Sequence, residues 1–488
     1  MTAVTADRST GSRRVRARPP AAVLGLVALL ALAVRLGPLL ASGGLRSLMG
    51  YDDGVHLAAA QEVLAGRLPY ADFTLLQPPG VVVLLLPFAA AGELVGSDVA
   101  LAAARLTTIG VAVLNAVLIA HLLRGFGVRA QLVGGGLSAV WAAAVAGERT
   151  VWLEPLLNLG VLSALVLLAG GRSRTRLLWA GVVLGLVCSV KVWPVLLAAA
   201  MAVGLLVVDR RGAGVWAAGV ALGGLVWGVP TLVVGGRDAV EQIVTTQAAR
   251  GRSTSLAERL TAFDGTTGIL RLRDAVPVPV RAALVVAVVL VLLVVGLRLG
   301  LHLWTALSAI TLLEVVLLAP SFYDHYTAYA APGLCLLAGA ASSLVPSRSA
   351  RPAGVASGVA GAVLAFSSTN HASVPELPLA EVQGFVDAHD CVWTNDRAAL
   401  LLADASTHRE PDCPVFVDGF GQALLRSQQA RDREAVEQLR RSDAALVVDQ
   451  DVAAWPRRPA TQVQRYLREH FVQEPTDFSP LVAWTRRP

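Results

Sequence analysis

The chain is 488 residues long, with a formal net charge of +6, 55% hydrophobic residues and only 16% charged ones. Soluble globular domains carry roughly 25% charged residues, and the shortage here is concentrated, because between Ala21 and Ser368 apolar runs of about membrane-spanning length alternate with short Arg-rich breaks. That distribution excludes a cytosolic enzyme, a nucleic-acid binder and a disordered chain. It predicts a multi-span α-helical membrane protein with one soluble unit at its C-terminal end.

In chain order, a basic tail (residues 1–20, with Arg8, Arg13, Arg14, Arg16 and Arg18) precedes the apolar run 21–41, interrupted only by Arg35. Basic flanks hold such a segment's N-terminus in the cytoplasm; a cleaved signal peptide also fits the basic and apolar regions. Later breaks carry Arg124 and Arg129, then Arg172, Arg174 and Arg176, then Arg210 and Arg211, Arg298, and Arg348 and Arg351. Positive-inside bias assigns all of them to the cytoplasm. The acidic or mixed breaks 51–77, 148–154, 236–273 and 321–326 then face outside.

Two conflicts sharpen this topology. If 78–95 crossed the membrane as well as 99–123, Arg124 and Arg129 would fall outside, so 78–95 is expected to lie along the outer surface or re-enter. Its Pro-Pro-Gly start, Pro87 and Glu93 also make it a poor spanning helix. The 32-residue apolar stretch 177–208 would be about 48 Å long as one helix, against a hydrocarbon core of about 30 Å. It is expected to be two short helices turning around Lys191-Val192-Trp193-Pro194. The expected result is about eleven spans, with the N-terminus cytoplasmic and the C-terminus external, in a bacterial plasma membrane. The units are a tail (1–20), a transmembrane module (21–368, with outer loops 42–97 and 236–277) and an exoplasmic α/β domain (369–488).

The residues suited to chemistry lie in the external breaks. Asp52 and Asp53 stand before an Ala-rich helical stretch; one acid suffices for an N-cap, and the second is unexplained by it. Such carboxylates act as a general base or hold a divalent cation, Mg or Mn, with Glu154 as a third candidate ligand. Glu154 directly precedes an apolar run, which disfavours its burial unless it faces a polar cavity; a helix-start Glu favoured by the macrodipole is the plainer account. Lys191 is the only lysine of the chain, and a lysine within an apolar run is a functional candidate whose compact ammonium suits a phosphate. His325 and Tyr326 are candidate donors to a lipid phosphate. Arg250, Arg252 and Arg259 break the positive-inside pattern and so are candidates to meet an anion, although long loops escape that rule.

Beyond residue 381 the pattern alternates: strands are expected at 391–394, 414–417, 444–448 and 481–485, and helices at 398–405, 422–441 and 461–471. Asp396, Asp418 and Asp449 follow three of the strands, where open sheets bind ligands, and where caps and turns also place aspartates. Cys391 and Cys413 fall in the compartment where a disulfide is permitted, whereas Cys188 and Cys335 lie in apolar helices.

Several motifs resemble a known family. Tyr51-Asp52-Asp53-Gly54, residues 66–73 and Gln77-Pro78-Pro79-Gly80 look like the first exoplasmic loop of GT-C glycosyltransferases. The likeness is to the bacterial branch related to protein O-mannosyltransferases and lipid A aminoarabinose transferases. Leu153-Glu154-Pro155 resembles the family's acidic-Pro motif, in which Asp is commoner. Ser189-Val190-Lys191-Val192-Trp193 resembles its Thr-Lys-Gly motif, with Val in place of Gly, and Tyr323-Asp324-His325-Tyr326 a Tyr/His segment. The resemblance covers residues 20–345 and implies an inverting enzyme that takes a sugar from a polyprenyl-phosphate carrier to a cell-envelope acceptor at the external bilayer face. Asp52 would then match the proposed base, Asp53 its neighbour, Glu154 the second-loop acid and Lys191 the phosphate-contacting lysine. A transporter or flippase of a lipid-linked or anionic solute is the alternative from another class, without the internal repeat that transporters commonly show.

Overall fold

The structure, a computed structural model, describes residues 21–41, 44–252, 254–264, 275–345, 377–405, 413, 417–425, 428–449 and 461–488. The apolar part folds into helices α1 (Ala21–Ala41), α2 (Tyr51–Leu64), α3 (Gly80–Val95), α4 (Ser97–Leu122), α5 (Val128–Val140), α6 (Glu154–Ala169), α7 (Arg174–Val187), α8 (Pro194–Val208), α9 (Arg210–Val240), α10 (Leu256–Thr261), α11 (Val278–Arg298), α12 (His302–Leu312) and α13 (Thr327–Ser342). Four described helices are long and apolar enough to cross a membrane by themselves: Ala21–Ala41, Ser97–Phe126, Arg210–Ala248 and Val278–Arg298. The expected count of about eleven spans exceeds these four. The shorter apolar helices Gly80–Val95, Glu154–Ala169, Pro194–Val208 and His302–Leu318 span 10–17 residues.

Only 17% of the most apolar window is buried in both the Arg210–Ala248 and Val278–Arg298 helices. Leucines and valines such as Val233 and Leu284 project from them into the surroundings, the pattern of a lipid-facing helix.

Residues 177–208 divide as expected. α7 ends at Val187 and α8 begins at Pro194, with Lys191 in the connection between them. α3 is a separate helix beside α2 and α4, turned from α4 by Gly96 at φ 98°. The external segment expected from residue 236 begins instead inside a helix: α9 kinks at Gly236 (φ 49°) and continues through a π-helical turn, Glu241–Thr245, to Ala248.

α7 and α9 pack through two Gly-x-x-x-Gly pairs. A Cβ on Gly185 would lie 2.2 Å from the Val220 carbonyl oxygen, and one on Gly223 would lie 2.2 Å from that of Val182. Small residues at this spacing let helix backbones approach where lipid removes the hydrophobic drive for association. The arginine that interrupts α1 is also accounted for. Arg35 is fully buried, ion-paired with Glu148, and donates to the Ser138 and Ala139 carbonyls, each at 3.0 Å, at the end of α5.

The C-terminal part contains α14 (Leu379–Asp387), β1 (Val392–Thr394), α15 (Arg397–Leu402), α16 (Gly419–Leu425), α17 (Gln428–Arg440), β2 (Ala444–Val448), α18 (Thr461–His470), β3 (Phe471–Gln473) and β4 (Leu481–Arg486). Its sheet order is β1-β2-β4-β3, with β1 parallel to β2 and the other pairs antiparallel. Three expected strands are present, at 392–394, 444–448 and 481–486. The fourth, 414–417, lies largely outside the described residues, and β3, too short to show an alternating pattern, was not anticipated. The single helix expected over 422–441 is two, α16 and α17. Cys391 and Cys413 form a disulfide. Asp396 caps α15 through the Ala398 amide at 3.0 Å.

Candidate active site

The site is assembled around the first turn of α2. Tyr51, Asp52 and Asp53 belong to the helix itself, where they had been expected just ahead of it, and the N-cap is Gly50, with no side-chain cap. Neither acid is therefore explained as a cap. Successive helical residues point about 100° apart, and the two carboxylates part company accordingly. Asp53 is fully buried and accepts from Arg105 Nη2 at 2.6 Å and Nε at 3.0 Å, and from the Thr150 hydroxyl. Arg105 in turn donates to the carbonyls of Leu45 (2.8 Å) and Ser47 (2.9 Å). Asp53 thus clamps the segment entering α2 onto α4. Asp52 turns the other way, into a cavity bordered by Gln77, Arg250, Tyr323, His325, Tyr326 and Asp418. It carries no hydrogen bond or ion pair with another described residue.

An adjoining cavity holds Lys191, and Gln77, Gln247, Arg250 and Tyr326 border both. The Lys191 loop is held against the first loop by the Gly80 amide, which donates to Ser189 O at 2.7 Å. The approach is so close that a Cβ on Gly80 would lie 2.6 Å from that oxygen. Lys191 is 5% exposed and donates to Glu154 Oε1 at 3.0 Å. Its Nζ lies 3.5 Å from the Trp193 ring centre and 3.9 Å from that of Tyr326, both favourable cation–π positions. Glu154 Oε2 is buried without a partner.

Lys191 therefore reaches the cavity with its charge already opposed by Glu154. Arg250 does not. It donates from Nη1 to Gln247 Oε1 (2.9 Å) and from Nη2 to the Tyr323 hydroxyl (2.7 Å), forms no salt bridge with a described residue, and leaves Nε unbonded. Gln247 Nε2 ties this helix end to Leu76 O at 3.0 Å, so the kinked extension of α9 positions Arg250 over the first loop. His325 stacks on Trp152 with ring centres 4.2 Å apart, and Tyr326 meets Trp193 edge-on at 4.7 Å.

The C-terminal part completes the rim. Asp418 is 7% exposed; its Oδ1 accepts from the Gly421 amide (2.7 Å) and the Tyr51 hydroxyl (3.3 Å), and the Phe420 amide donates to the Tyr51 oxygen at 3.0 Å. Burial, reinforced by the charge of Asp52, pushes the Asp418 carboxyl up to about 6. The two parts dock closely, since a Cβ on Gly54 would lie 2.4 Å from the Ala398 nitrogen.

No family model and no curated protein matches the chain; its similarities are to solved structures. ArnT from Cupriavidus metallidurans bound to undecaprenyl phosphate superposes with a TM-score of 0.58 at 16% identity, covering 95% of this chain and 96% of that one. The Archaeoglobus fulgidus oligosaccharyltransferase tethered with an acceptor peptide gives 0.55 at 10% identity, covering 96% of this chain and 74% of that one. The archaeal oligosaccharyltransferase AglB from the same organism, in complex with an inhibitory peptide and a dolichol-phosphate, gives 0.53 at 12%, with coverages of 96% and 74%. The chain has the GT-C fold.

On this GT-C frame seven of the residues singled out from sequence separate. Asp52, Arg250, His325 and Tyr326 border one cavity, Lys191 borders its neighbour, and Glu154 stands behind Lys191. Asp53 does not border either cavity. The three acids suggested as divalent-cation ligands do not fit one, because Asp53 is committed to Arg105 and Glu154 to Lys191. Among the described residues no three His, Cys, Asp or Glu side chains are placed to share an ion. Sequence reasoning missed Arg105, Gln247 and Phe420. Arg105 had a readable signal, an arginine inside an apolar run, whereas Gln247 and Phe420 had none.

Proposed function

We propose that the protein is a membrane glycosyltransferase moving a sugar from a polyprenyl-phosphate carrier to a cell-envelope acceptor at the external face, with inversion at the anomeric carbon. The observation that carries this reading is the arrangement of Asp52, unpaired, in the cavity that also receives Arg250 and adjoins Lys191. The solved structures of this fold that hold undecaprenyl phosphate or dolichol-phosphate support the donor class.

In this mechanism Asp52 accepts the proton of an acceptor hydroxyl as that oxygen bonds to the anomeric carbon. The bond from the same carbon to the phosphate oxygen breaks, and its electron pair leaves with the lipid phosphate. Arg250, with Nη1 and Nη2 fixed by Gln247 and Tyr323 and Nε unbonded, is suited to the developing charge. Lys191 adds a second positive centre that Glu154 and two aromatic rings hold in place. Glu154 and Asp53 act as positioning residues, the first on Lys191 and the second on the α2 turn.

The test is a transfer assay with purified protein in lipid, undecaprenyl-phosphate-linked radiolabelled sugars and an envelope extract. Label should pass to the extract; a protein that neither binds nor consumes any such donor would refute the reading. Proteoliposome uptake without transfer would instead identify a transporter.

A further inference from the structure

Asp418 borders the same cavity as Asp52, and nothing in the donor chemistry uses it. Its helix-capping duty occupies only Oδ1, through the Gly421 amide and the Tyr51 hydroxyl. Oδ2 has no hydrogen-bond partner among the described residues, although the side chain is more than nine-tenths buried and borders the cavity. Asp52 and Asp418 face one cavity as two carboxylates that repel each other, and a ligand bearing hydroxyl donors would relieve this. Beside Asp418, Phe420 borders the same cavity as a half-buried ring.

We propose that the C-terminal α/β part supplies one half of the acceptor subsite, and that the acceptor is a carbohydrate. Asp418 Oδ2 accepts from a sugar hydroxyl adjacent to the one that Asp52 deprotonates, and the Phe420 ring lies against the C–H face of the same sugar. This rests on the glycosyltransferase reading and extends it from donor to acceptor. A peptide, whose amide N–H groups can also donate to two carboxylates, is the alternative that the test below separates. An acceptor carrying phosphate near the reacting hydroxyl is disfavoured by the same two charges. Tyr51 links the halves, adjoining Asp52 in sequence and bonded to both Asp418 and the Phe420 amide.

Asp418→Asn is the informative variant, because Asn caps a helix about as well as Asp and can still accept from Tyr51. With full-length protein in lipid, the apparent KM for the envelope extract should rise by about ten- to a hundredfold, the worth of a hydrogen bond to a charged group. The Kd for undecaprenyl phosphate should stay at the wild-type value. Phe420→Leu should raise the same KM. Extract treated with periodate, which cleaves vicinal diols, should lose its acceptor capacity, whereas protease-treated extract should keep it. An unchanged extract KM in both variants, or acceptor capacity destroyed by protease and spared by periodate, overturns the proposal. Wild-type protein that binds no undecaprenyl phosphate would instead overturn the donor reading, so the two failures are read in separate arms.

Discussion

Asp52 and Asp53 are adjacent and chemically identical, yet their surroundings assign them different work. Asp52→Asn preserves size and helix, and should lower transfer by roughly 10² to 10⁴, the usual worth of a general base, while undecaprenyl phosphate still binds. Asp53→Asn should act on folding: it leaves Arg105 buried without its counter-charge, a change that costs about 3–5 kcal/mol. It should therefore lower the melting temperature in detergent, and the fraction that stays folded should still bind undecaprenyl phosphate. Equal melting temperatures for the two variants would show that the Arg105 clamp is not what holds Asp53.

The same scale gives a pH dependence. Asp418 has a folded-state pKa of about 6 against an ordinary value of 3.8, so between these values the folded protein binds more protons than the unfolded chain. The stability this group contributes is complete below the ordinary value, falls as pH rises through the window, and is lost above about 6. The charged and titratable groups facing it are Asp52 and Tyr51 from α2 and Arg250 from the extension of α9. Asp418→Asn cannot titrate there. The melting temperature of wild type minus that of Asp418→Asn should decline as pH rises from about 4 to about 6 and then level off. A flat difference would show that the carboxyl is not buried as described.

At the scale of elements, the α7–α9 contact is set by glycines. Gly185→Val would drive a side chain into the Val220 carbonyl, and overpacking of this kind costs about 1–3 kcal/mol or more. Gly224, one residue after Gly223, has open space where a Cβ would stand, with nothing within 4 Å. Gly224→Ala should therefore melt at or above the wild-type temperature, as glycine is a poor helix residue. Thermal melts in detergent compare the two; equal losses would contradict the packing. Elements were unevenly legible in the sequence. The break between α7 and α8 was readable because 32 apolar residues exceed a bilayer's thickness, and the separate α3 because its Pro-Pro-Gly start and the positive-inside expectation set 78–95 apart from 99–123. The fusion of the segment after Gly236 to α9 was not readable, since a positive-φ glycine kinks a helix here without ending it. β3 escaped notice because three residues give too little period to read.

For the whole molecule, the expected sidedness is testable with an impermeant thiol reagent on intact cells. Ala71, Glu93 and Arg172 are exposed, so cysteines there are available to reagent. Those at Ala71 and Glu93 should label and that at Arg172 should not; labelling of 71 and 93 on opposite faces would overturn the placement of α3 outside the membrane.

Composition and charge alone determined that the chain is a helical membrane protein with an α/β end, because the hydrophobic effect and positive-inside bias act on local runs of residues. They also singled out Lys191, since a charged group in an apolar run is anomalous wherever the chain later folds, and Asp52 as one of two adjacent acids where a cap needs one. What only the tertiary structure decided is which charges remain available. Glu154 opposes Lys191, Arg105 occupies Asp53, and Arg250 is left without a salt bridge to a described residue, and each of these outcomes joins residues tens of positions apart or more. Asp418 and Phe420 reach the cavity from more than 360 positions along the chain, as the bond between Asp418 and Tyr51 shows. No local pattern encodes such a meeting, because it depends on how the C-terminal sheet docks against α2.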